Sequence, residues 1–243
     1  MIFDSFVLSL EPSRYIPFDD VVNGVPREIF EDSEVIVSPA PVYVELNTFL
    51  GDGGRIAPSQ TLVADLGIDS DPFTLAFWIQ IDDEAGSFEP LYFMDSDSRG
   101  TIITLQGDTL VHSFGDGTQT QSFSYGAAVN IGEPNLIAIT YDGTTYRLVV
   151  NDSQLTESSA FSLPEETLPR FFSGADSSEK AITHIFSAES AIPNKFLWKG
   201  YSVGVRGKEI RKVLSGDVID LSQGDIESLQ TSWQAYGVVV TKR

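Results

Sequence analysis

The chain contains no cysteine at all. That excludes disulfide staples, thiol catalysis and cysteine metal sites, and it fits a protein assembled in a reducing compartment. Basic residues are scarce, with 15 Lys and Arg against 35 Asp and Glu, a net charge of −20. Nucleic-acid binding needs a basic surface, so it is excluded as a partner class, and anionic membranes are disfavoured for the same reason. No apolar run approaches the roughly 20 residues that span a bilayer, so no membrane insertion is expected. The start, M-I-F-D-S-F-V-L-S-L-E-P, has no basic lead and only a short apolar stretch, so it does not read as a secretory signal. Histidine occurs twice, at His112 and His184. Neither sits near a poised nucleophile or a set of metal ligands in sequence, so both read as structural.

What the sequence does have is strand patterning. In 71–81, D-P-F-T-L-A-F-W-I-Q-I, residues Phe73, Leu75, Phe77, Ile79 and Ile81 alternate with Thr74, Ala76, Trp78 and Gln80. Period two is the mark of a strand with one face in a core. In 135–151 two apolar runs flank Asp142-Gly143-Thr144-Thr145. Asp-Gly suits a tight hairpin, so 136–141 should pair with 146–150. A further hairpin is expected from 101–105 and 109–114 around Gln106-Gly107-Asp108.

These phrases resemble the laminin G-like branch of the concanavalin A-like lectin/glucanase superfamily, whose members carry strings like F-T-I-S-F-W-V and A-V-T-Y-D-G-T. Weaker echoes lie at 49–58, F-L-G-D-G-G-R-I-A-P, and at 221–229, L-S-Q-G-D-I-E-S-L. Asp152 stands where a hairpin glycine is usual in the family. The resemblance implies an all-β, antiparallel jelly-roll sandwich over roughly 45–235. It says little about function, because this fold hosts lectins, hydrolases, adhesion modules and virus parts.

The expected organisation is an N-terminal arm, 1–40, broken by Pro12, Pro17, Pro26 and Pro39, followed by the sandwich with a C-terminal helix and strand, 41–243. Residues 152–180 read as mostly loop, and 196–206 as a late strand. Ser222 and Asp225 have capping-box spacing, and Ile226, Leu229, Trp233 and Tyr236 share one helical face. Gly51-Asp52-Gly53-Gly54 reads as a tight turn.

Three chemistries bear on this fold. Laminarinase-like hydrolases on this fold carry E-x-D-x-x-E, so that alternate carboxylates enter one cleft. The string is absent, and the acidic run 28–34 has the wrong spacing. The protein is therefore expected not to be an enzyme; a glycoside hydrolase is the least favoured alternative. Laminin G-like modules often hold calcium at a rim. Asp95 and Asp97, at a strand end, are the metal candidates, with Asp69 and Asp71 as a second D-x-D pair. Trp78, facing away from the Phe73 side, is the ligand-binding candidate. It would stack on a sugar or lie under a covering segment. Together these give a non-enzymatic structural protein of a virion or other assembly, such as a phage decoration, tail or fibre component. It would be assembled in the host cytoplasm, with a homo-oligomer or other virion proteins as partners and host glycans as a contact. The alternative is a soluble or extracellular calcium-dependent carbohydrate-binding module.

Overall fold

A computed structural model describes residues 6–17, 61–81, 87–171 and 182–202 in full. It also describes the backbone of residues 180–181 and of strands at 21–22, 25–26, 35–38, 44–48 and 51–55. The strands, in chain order, are β1 (Arg14–Ile16), β2 (Val21–Val22), β3 (Val25–Pro26), β4 (Val35–Ser38), β5 (Val44–Thr48), β6 (Gly51–Arg55), β7 (Thr61–Ala64) and β8 (Phe73–Ile81). They continue with β9 (Ser87–Met94), β10 (Arg99–Gln106), β11 (Thr109–Asp116), β12 (Thr120–Tyr125), β13 (Pro134–Tyr141), β14 (Tyr146–Val150), β15 (Ser153–Ser158), β16 (Arg170–Phe171) and β17 (Lys180–Ala188).

Two antiparallel sheets stack as a jelly-roll sandwich. Sheet one runs β15-β14-β13-β8-β17-β6-β5, with β1 also on β17. Sheet two runs β12-β11-β10-β9-β16-β7-β4. The expected hairpins are present. Tyr141 pairs with Tyr146 across the Asp-Gly turn, where Gly143 has φ 90° and Asp142 Oδ1 accepts the N–H groups of Thr144 and Thr145. Gln106 pairs with Thr109 across the next.

The alternation in β8 splits into two cores. Phe73, Leu75, Phe77, Ile79 and Ile81 enter the cluster between the sheets, with Phe93, Phe114, Tyr146 and Phe171. Ala76 and Trp78 point outward, yet they are buried in a second cluster with Phe6, Val7, Tyr15, Leu136, Val149, Phe186, Ile192 and Leu197. Sheet one therefore has both faces covered, which is why β8 is buried almost throughout.

The cover comes from segments for which the sequence suggested other shapes. Residues 1–40 were expected to form a separate arm. The described part of that stretch is instead built into the domain. Phe6 and Val7 sit in a helical turn on the outer face, β1 pairs with β17, and β4 pairs with β7. Proline only interrupts these pieces; their apolar residues still find a face to cover. Residues 194–202 are helical rather than a strand. Leu197 and Tyr201 lie four apart, on one helix face, and that spacing rather than local alternation is what packs. Gly200 lets the helix approach, because a Cβ there would stand 2.7 Å from Phe6 Cε1. Residues 51–55 form β6 rather than a turn, and 152–180 contributes β15 and β16. The helix expected at 222–237 and the strand after it lie outside the described residues, as does the acidic run 28–34.

Candidate functional site: a polar cleft at the end of the sandwich

Trp78 is not a sugar platform. Its side chain is fully buried, and its ring stacks on Tyr201 from the 194–202 helix, with centroids 5.8 Å apart and planes 19° apart. The sequence placed it on the outward face correctly. It could not show that distant segments close over that face.

Asp95 and Asp97 do lie together, in the turn between β9 and β10, but Arg99 occupies the space between them. Asp95 Oδ1 accepts the N–H groups of Asp97 (2.9 Å) and Arg99 (3.0 Å), while Oδ2 accepts Arg99 Nε (2.8 Å) and the N–H of Glu165 (3.0 Å). Burial works against the Asp95 charge, but the N–H groups of Glu165 and Arg99 and the guanidinium hold its carboxyl below the ordinary range. Asp97 Oδ2 meets Arg99 Nη2 at 3.3 Å, and Glu165 takes Arg99 Nη1. Four donors saturate Asp95, so it locks a turn instead of offering oxygens to calcium. Asp69 and Asp71 are exposed on the loop before β8. Among the described residues no group of three or more His, Asp or Glu converges as a metal site.

The site that does take shape was not singled out from the sequence. At one end of the sandwich a cleft of about 570 Å³ lies among Tyr125, the 126–130 loop, the β14–β15 turn and Tyr201. Its polar lining is Asn130, Asn151, Asp152 and Ser153, and Val150 and Leu155 supply apolar surface. Tyr125 and Tyr201 are half-buried, whereas Asn130, Asp152 and Ser153 are exposed. Trp78 thus stands directly behind one wall of the cleft.

Two asparagines fix the walls to each other. Asn135 Oδ1 accepts the Asn130 N–H (2.8 Å) and Asn151 Nδ2 (3.0 Å). Asn135 Nδ2 donates to the carbonyls of Asn130 (2.9 Å) and Glu133 (2.8 Å). Asn151 Oδ1 accepts the Leu136 N–H at 2.9 Å. The turn needs one left-handed residue, and Asn151 provides it with φ 56°. Position 152 is therefore free to carry a side chain, and the chain puts a carboxylate there.

Tyr125 is held from the core side. Its hydroxyl bonds Thr156 Oγ1 (2.7 Å), Thr156 bonds His112 Nδ1 (3.0 Å), and His112 Nε2 bonds the Tyr146 hydroxyl (2.9 Å). Tyr146 donates to Thr101 Oγ1 (2.9 Å), which donates to the Ser113 carbonyl (3.3 Å). A single proton ordering satisfies all of these. Each hydroxyl donates inward, and His112 is neutral with its proton on Nε2. Burial agrees, pushing the His112 imidazole down to about 3. His184 is also buried, with Nδ1 2.5 Å from the Tyr15 hydroxyl. With its hydroxyl committed inward, Tyr125 presents its ring to the cleft. A ring beside amide, hydroxyl and carboxylate groups can stack on the C–H face of a sugar while those groups bond its hydroxyls.

A family model described as the concanavalin A-like lectin/glucanases superfamily matches residues 52–184, which include the cleft loops. The chain belongs to that superfamily. No curated protein matches the sequence. Among solved structures, the receptor-binding domain of botulinum neurotoxin D superposes with a TM-score of 0.63 at 11% identity, covering 84% of this chain and 54% of that one. The serotype D ligand-binding domain in complex with N-acetylneuraminic acid gives 0.62 at 13%, covering 84% and 53%. The type G receptor-binding domain gives 0.60 at 12%, covering 79% and 51%. At such identities the likeness is one of fold, and the chain spans about half the length of these structures.

Proposed function

We propose that this lectin-like sandwich is a non-enzymatic carbohydrate-binding module that takes its ligand in the Tyr125–Tyr201 cleft. The observation carrying the reading is the lining itself: two half-buried tyrosines beside Asn130, Asp152 and Ser153, on walls fixed by Asn135 and Asn151. Walls held before the ligand arrives reduce the ordering cost of binding. The neurotoxin domain solved with N-acetylneuraminic acid adds support at the level of the fold.

Glycoside hydrolysis needs two carboxylates flanking the scissile bond. Among the described residues the cleft lining supplies one, Asp152. The virion or assembly reading drew on an arm free to reach a neighbour. With Phe6, Val7 and Tyr15 buried on their own domain, that support weakens and the carbohydrate reading moves ahead. Calcium is not required by this reading, since aromatic rings and the amide, hydroxyl and carboxylate groups of the lining supply the contacts directly.

The test is a glycan array probed with the native chain, followed by titration of the best ligand against Tyr125→Ala. Binding should be detectable and should weaken about tenfold or more in the variant, as loss of a stacking aromatic does. An array with no bound glycan, or full affinity in the variant, would overturn the assignment.

A further inference from the structure

Resting on the carbohydrate reading, we infer that the cleft selects saccharides that carry no carboxylate, and favours amine-bearing sugars over their N-acetylated forms. The distribution of charge around the cleft leads there. None of the described residues lining it is Lys or Arg, whereas Asp152 stands exposed on its rim. Among the described residues only Ser153 Oγ hydrogen-bonds the Asp152 carboxylate, at 3.2 Å, on Oδ1. Asp152 Oδ2 has no hydrogen bond from a described residue.

Burial first, and then the charges of Asp152 and Glu133, hold the Tyr201 hydroxyl in its neutral form. Arg147, the guanidinium on β14, is committed elsewhere. It bridges Asp142 and Glu157 at 2.9 and 3.6 Å. The whole chain carries −20, a background of the same sign.

An acidic sugar entering this cleft would lose water from its carboxylate and gain no cation from the described lining in return. An ammonium group would gain a carboxylate and two aromatic faces. This cleft would then disfavour the N-acetylneuraminic acid with which one fold neighbour was solved.

Matched pairs on the array test the inference. One set compares oligosaccharides with and without a terminal N-acetylneuraminic acid. A second compares hexosamine oligomers with free and acetylated amines. Bound glycans should lack sialic acid, and free amines should bind about 3- to 10-fold more tightly at low salt, as expected for an exposed ion pair plus a ring contact. Asp152→Asn should abolish that amine preference and leave the melting curve unchanged. Raising the ionic strength should erode the preference in the native chain, without altering the fold. Asp152→Lys should bring sialylated ligands up. Equal or tighter binding of the sialylated partners by the native chain would overturn the inference while sparing the carbohydrate reading. An array with no bound glycan would remove both.

Discussion

The outer face of sheet one and the cleft at its end are neighbours, separated by one stacked pair, Trp78 on Tyr201. Both are rich in aromatics. Trp78, Phe6, Tyr15, Phe186 and Leu197 make the first a second core, with each side chain nearly or wholly buried. In the second, Tyr125 and Tyr201 remain half-buried among polar side chains. The same kind of residue stabilises the fold in one place and can meet a ligand a few ångströms away. What differs is the cover, and the cover comes from residues 6–16 and 192–201, at opposite ends of the described chain.

If that division is right, truncating Trp78 is mainly a stability lesion. Trp78→Ala should cost about 3–5 kcal/mol, the usual loss for a buried aromatic, read as a lower midpoint in denaturant. Near-native stability together with a complete loss of glycan binding would break the comparison, because Trp78 would then behave as a site residue. Gly200→Val probes the same seam more gently. Even a Cβ meets Phe6, so the branched side chain must push the helix or the ring aside. Overpacking of this kind costs about 1–3 kcal/mol. Because Tyr201 is the next residue, affinity in the cleft should fall along with stability. Unchanged affinity in a destabilised variant would show that the helix does not position Tyr201.

Much of this was legible in the sequence, and the reason is local. Alternation from Phe73 to Ile81 and the Asp142-Gly143 turn encode strands and a hairpin within a few residues of each other, and both form. Trp78 was placed on the correct face by the same alternation. Three things were not legible because they depend on partners far away in the chain. Arg99 and Glu165 turn Asp95 into a structural carboxylate. The Leu197/Tyr201 spacing competes with an equally plausible strand pattern until a surface exists for it to cover. The cleft joins residues 125–130, 150–155 and 201. One signal did point to it: Asp152 replaces a glycine usual in the family, placing a charged side chain in a turn that did not need one.

The His112 relay sharpens the comparison from inside the sandwich, because it ties the core to the cleft through Tyr125. Its imidazole is neutral in the folded state down to about pH 3, whereas an ordinary histidine takes up a proton near 6.5. Above 6.5 neither state holds the proton, so the contribution is complete and flat. As the pH falls from 6.5 towards 3 the unfolded chain alone binds a proton, and stability drains by up to about 1.4 kcal/mol per pH unit. His112→Gln should be less stable than the native chain at pH 7, and the gap should close steadily towards pH 4 in paired denaturant titrations. A gap independent of pH would mean that the imidazole is not held neutral.

Calcium should have the smallest effect. The Asp95 oxygens already receive four donors, and Asp97 stands with 71% of its side chain exposed, beside the Arg99 guanidinium. A cation would have to displace a bound guanidinium and break backbone hydrogen bonds before it gained a ligand. Saturating calcium should therefore leave the melting temperature where a chelator leaves it, in the native chain and in Asp97→Ala alike. Binding to the native state alone must raise the melting temperature by mass action. A rise that disappears in Asp97→Ala would show that the turn opens to admit a metal. Part of the rim would then move from the structural side of the comparison to the ligand-binding side.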